Sequence, residues 1–69
     1  MIETLTRAEE IRNDIENLHF TVRYYIGVLA ELEQLGRHGT AEYIRIEKGV
    51  NTLKANIRTL QKELDNEEL

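Results

Sequence analysis

Glu16 and His19 stand three residues apart, the Glu-x-x-His spacing with which helical bundles hold a pair of iron ions between inward-pointing side chains. That chemistry needs further carboxylates, and no second such pair occurs in the other half of the chain. The helical pattern described below also puts Glu16 and His19 beside the apolar seam and not within it. They are read as a surface glutamate next to a surface histidine, and no metal or cofactor is expected. His38 follows Arg37 between two glycines and is read as a solvated turn residue. The chain has no cysteine, and no paired carboxylates fall on an inward face. Nucleophilic and general acid–base schemes therefore have no constellation to use, and the chain is not expected to be an enzyme. Arg23, Arg45, Lys48, Lys54 and Arg58 form a basic band through the middle. Such a band can meet phosphates, but the net charge of -4 opposes the counterion displacement on which nucleic-acid and membrane surfaces depend. Nucleic acid is not the expected partner.

What positions these residues is a repeat of apolar side chains. From Ile11 it runs through Ile15, Leu18, Val22, Tyr25, Leu29 and Leu32 at alternating intervals of four and three, which keeps one seam of an α-helix turned to a neighbour. Tyr43, Ile46, Val50, Leu53, Ile57, Leu60 and Leu64 continue the alternation beyond a loop containing Gly36 and Gly39. Folding the halves together sets Leu32 against Tyr43, Leu29 against Ile46, Tyr25 against Val50, and so on to Ile11 against Leu64. The two residue numbers have the same sum in every pair. Two unrelated amphipathic helices would not usually hold that register for seven layers, and a short loop favours antiparallel neighbours. The expected fold is all-α, an antiparallel two-helix coiled-coil hairpin that completes a four-helix bundle by dimerisation.

Local signals set the boundaries. Thr6 followed by Glu9 has the form of a capping box, so the first helix is expected over about 7–35, after a short extension from Met1 to Leu5. A loop over 36–40 follows, with Gly36 suited to a left-handed C-terminal position and Thr40 or Gly39 to the next cap. The second helix is expected over about 41–65. Glu63, Asp65, Glu67 and Glu68 place negative charge at the negative end of its dipole, so fraying is expected over 66–69. Same-level flanking residues suggest no ion-pair zipper, since Asp14 falls near Glu63. Val28 opposite Gly49 suggests either a close backbone approach or a place where another molecule packs.

Sixty-nine residues make one domain, and a chain this short buries a small share of its surface. No disulfide or thiolate metal site can staple it. The longest apolar runs, Tyr24 to Ile26 and Val28 to Ala30, fall far short of the roughly 18 residues of a membrane span. The acidic N-terminus is unlike a signal peptide, and a cytoplasmic location is expected. Apolar residues also extend beyond the seam, with Ile26 at heptad position e, Val28 and Leu35 at g, Tyr24 at c, Phe20 at f and Ile44 at b. An apolar surface of that extent commonly marks an interface. Phe20, Tyr24, Ile26, Val28, Leu35 and Ile44 are therefore the candidate contact residues. The expected object is a small interaction or regulatory protein acting as a homodimer, with a further protein as partner.

The glycine-containing loop, Tyr43 soon after it, and Leu53, Ile57 and Leu60 at matching intervals resemble the short co-chaperones that partner the needle-subunit chaperone in type III secretion systems. The long uninterrupted first helix departs from that pattern. The resemblance implies an adaptor hairpin whose Phe20, Tyr24 and Ile44 face a helical-repeat chaperone in place of a second copy.

Overall fold

A computed structural model describes residues 5–68. The expected extension therefore lies outside the described residues except for Leu5, which is exposed, and Leu69 lies outside them at the other end.

Helix α1 spans Arg7–Gln34 and helix α2 spans Ala41–Glu67. The capping box forms at the start of α1. The Thr6 hydroxyl accepts from the Glu9 backbone N–H at 3.1 Å, and the Glu9 carboxylate accepts from the Thr6 N–H at 3.4 Å. This satisfies donors that a helix start otherwise leaves open. The other end closes by a Schellman arrangement. Gly36 takes φ +72°, the Arg37 N–H donates to the Leu32 carbonyl at 2.8 Å, and the Gly36 N–H donates to the Glu33 carbonyl at 3.0 Å. Gly39 turns again at φ +84°, and Thr40 caps α2 by accepting from the Tyr43 N–H at 3.2 Å. Two left-handed glycines thus reverse the chain within a few residues.

The helices lie side by side as an antiparallel hairpin measuring 51 × 26 × 14 Å. An α-helix with its side chains is about 10–12 Å across, so the molecule is one layer thick. The seam is where the burial is. Ile11, Ile15, Val22, Leu32, Tyr43, Val50 and Leu64 are buried, and Leu18, Leu29, Ile46, Leu53, Ile57 and Leu60 are half-buried. Tyr25 stays 37% exposed. Packing is tightest at the open end, where Ile11 is fully buried in a cluster with Ile15 and Leu64, backed by Ala8, Ile57 and Leu60.

Helix α2 continues to Glu67, past the end expected near residue 65. Its acidic last turns find opposite charge on α1. Arg7 Nη2 meets Glu63 Oε2 at 3.1 Å, and the Arg12 guanidinium pairs with the Glu68 carboxylate. These cross-helix ion pairs correct the expectation that none would form. By the seam register Arg7 is level with Glu68 and Arg12 with Glu63, yet each arginine reaches the other's glutamate, because those two share a flank. For side chains this long, the flank decides the partner and the level does not. The close approach at Gly49 is corrected as well, since a Cβ there would meet nothing within 4 Å.

Candidate interaction surface

A hairpin one layer thick has two broad faces, and here their chemistry differs. Residues seven apart share a helix face, and residues three or four apart are neighbours on it. One face carries two shallow grooves. Asp14, Asn17, Leu18, Asn56, Thr59 and Leu60 line the first, and Thr21, Tyr25, Arg45, Ile46, Gly49, Thr52 and Leu53 line the second. Among the described residues lining them, only Asp14 and Arg45 carry charge; Arg7, Glu10, Glu31, Glu42 and Glu63 fall on the same face toward its two ends, so it is an uncharged face in its middle. Threonine, asparagine and glycine form much of the rim, and seam residues form the floor. Their small side chains leave the seam reachable from solvent, which is why Tyr25 remains part exposed.

The opposite face carries a groove lined by Arg12, Ile15, Glu16, His19, Arg23, Gln61 and Leu64. Here charged and titratable groups predominate. Lys54 and Arg58 of α2 lie on this face, as does Arg23 of α1, so the basic band of the sequence gathers partly into one patch. Arg45 belongs to the uncharged face. Lys48 stands on the outer edge of α2. Acidic residues interleave with the basic ones, Glu16 within the groove and Asp65 and Glu68 toward the open end.

The candidate contact residues divide between these faces. Tyr24, at 64% exposure, and Leu35, at 69%, lie on the uncharged side with Val28, which is half-buried. Ile26 and Ile44 are exposed on the charged side, and Phe20, 68% exposed, stands on the outer edge of α1. Tyr24 and Tyr25 pack edge to face, ring centroids 5.5 Å apart, which carries the aromatic surface from the rim to the seam.

Glu16 and His19 share the charged groove with arginines, and among the described residues no three metal-ligating side chains converge. His38 is an exposed turn residue, as expected, and its ring also makes a T-shaped contact with Tyr43 at a centroid distance of 4.7 Å. The Tyr43 hydroxyl in turn donates to Glu33 Oε1 at 2.6 Å. That hydrogen bond, with burial and the negative charges of Glu33 and Glu47 adding to it, pushes the phenol up to about 12. The trio locks the loop to the first layer of the seam. Apolar periodicity flags Tyr43 only as a seam residue; the signal for more is a phenol just after the loop with a carboxylate, Glu33, one residue inside the preceding helix end.

The chain matches no family model, no curated protein and no solved structure. Among the described residues no helix is long and apolar enough to cross a membrane.

Proposed function

We propose that this is a small non-enzymatic interaction protein that works as a homodimer, two hairpins joining into a four-helix bundle and presenting their charged faces to another protein in the cytoplasm. The observation that carries this reading is the middle of the face with two grooves, where the seam is open to solvent and Thr21, Gly49, Thr52 and Asn56 leave the rim without charge. Shape argues the same way. A compact monomer of 8.1 kDa exposes about 4,500 Å², whereas this hairpin exposes 5582 Å². A second copy laid on the uncharged face would give the seam the cover it lacks.

The outward faces of such a bundle would carry His19, Arg23, Lys54 and Arg58 in the middle and acidic residues toward the ends. This mixed pattern suits a protein surface with its own alternating charges better than a continuous run of phosphates. Light scattering and sedimentation equilibrium across a wide concentration range test the proposal. A discrete dimer is expected. A monomer at every concentration, gaining helicity only when a different protein is added, would overturn it.

A further inference from the structure

The two long edges of the uncharged face are unlike. The α1 edge carries Tyr24, Val28 and Glu31, which fall on it because residues seven apart share a face. The α2 edge carries Arg45, Gly49 and Thr52. The seam register sets these edges level with each other: Glu31 lies level with Ile44, next to Arg45; Val28 lies level with Glu47, about 3 Å along the axis from Gly49; and Tyr24 lies level with Asn51, next to Thr52. One edge is bulky and ends in a carboxylate. The other is small and ends in a guanidinium.

Resting on the homodimer reading above, we propose that two copies meet through this face about a two-fold axis running along the helices, with both loops at the same end of the bundle. That operation lays the α1 edge of each copy on the α2 edge of the other. Val28 of one copy then enters the space at Gly49 of the second, Tyr24 covers Thr52, and Glu31 reaches Arg45. Each contact occurs twice by symmetry. The space at Gly49 is free to receive a side chain, because a Cβ built there meets nothing within 4 Å. The face measures 51 by 26 Å, a footprint larger than the roughly 800 Å² that each partner gives to an ordinary stable interface. Turning the second copy end for end would instead stack α1 on α1 and α2 on α2, setting Tyr24 near Thr21 and Gly49 near Asn56, with neither Val28 at Gly49 nor Glu31 at Arg45. Like charges approach in both arrangements, Asp14 and Glu31 in the reversed one and Asp14 and Glu63 in the proposed one, so the preference rests on the contacts of Val28, Tyr24 and Glu31.

The native chain has no cysteine, which makes the arrangement directly readable. Protein carrying only Glu31→Cys is mixed with protein carrying only Arg45→Cys and oxidised. A cross-linked heterodimer abundant in the mixture and scarce in either sample alone is the expected result. Preferential coupling of Arg45→Cys with Thr59→Cys would show loops at opposite ends and overturn the arrangement while leaving the dimer intact. Parent protein that stays monomeric by light scattering would overturn the dimer reading itself. As a second measurement, Glu31→Arg and Arg45→Glu should each weaken dimerisation on the order of tenfold, and the double exchange should recover most of it. Unchanged dimer affinity in both single variants would also reject the arrangement. Gly49→Leu should leave the helicity intact and abolish the dimer.

Discussion

Tyr43 shows how one side chain in a repetitive seam acquires a separate task. Its ring lies in the first layer beyond the loop and meets the His38 ring in a T-shaped contact, while its hydroxyl leaves the layer to reach Glu33. The folded state holds the phenolic proton up to about pH 12, whereas an unfolded chain releases it near 10.0. Between those values the folded state binds more protons, so this contribution to stability is complete below pH 10 and is lost as pH rises toward 12. Urea midpoints measured across that window should fall more steeply for the parent than for Tyr43→Phe, which should also melt lower at neutral pH. Ile11 illustrates the opposite case, a side chain with burial and nothing else. Ile11→Ala should cost about 2–4 kcal/mol by thermal or denaturant unfolding, since it truncates a fully buried side chain packed between Ile15 and Leu64. Burial at Ile11 is legible from spacing alone. The Tyr43 hydrogen bond is not, because periodicity reports which face a residue is on and says nothing of where its polar end goes.

At the scale of the element, the boundaries follow from caps whose chemistry is written in short stretches of sequence. Thr6 and Glu9 identify the start of α1, and Gly36 its end, within a residue of where they are found. The acidic residues of α2 oppose its dipole and, taken alone, would end the helix early; Arg7 and Arg12 on the other helix offset that repulsion. A local rule misses a tertiary partner more than fifty positions away in the chain. Two substitutions separate the glycines by role. Gly36→Ala should destabilise the hairpin by about 1–2 kcal/mol, because an L side chain resists the left-handed backbone there. Gly49→Ala, measured in dilute solution where the monomer predominates, should stabilise by up to about 1 kcal/mol, because it sits in a helix with open space around it. Thr6→Ala should cost about 1 kcal/mol through the lost cap. Circular-dichroism melts of these variants provide the check.

For the molecule as a whole, antiparallel register is readable because the same sum recurs in every layer, and only a hairpin makes that sum meaningful. The division into an uncharged and a charged face is harder to see, since Tyr24 and Ile44 look alike among the apolar residues and part company only when both helices are placed. Dimerisation should make the melting temperature rise with protein concentration, and Tyr24→Glu should remove that dependence, whereas Ile44→Glu on the other face should keep it. The placement of the tightest burial has a kinetic consequence. Leu32 and Tyr43 are joined by a short loop that closes in about 10–100 ns, while Ile11 and Leu64 must close a much longer loop unless the intervening layers zip first. The site most protected at equilibrium is thus the last to form. Truncating Ile11 should accelerate unfolding and leave the refolding rate nearly unchanged, while loosening the glycine turn should slow refolding itself. The hairpin starts at its hinge and is latched at its tips.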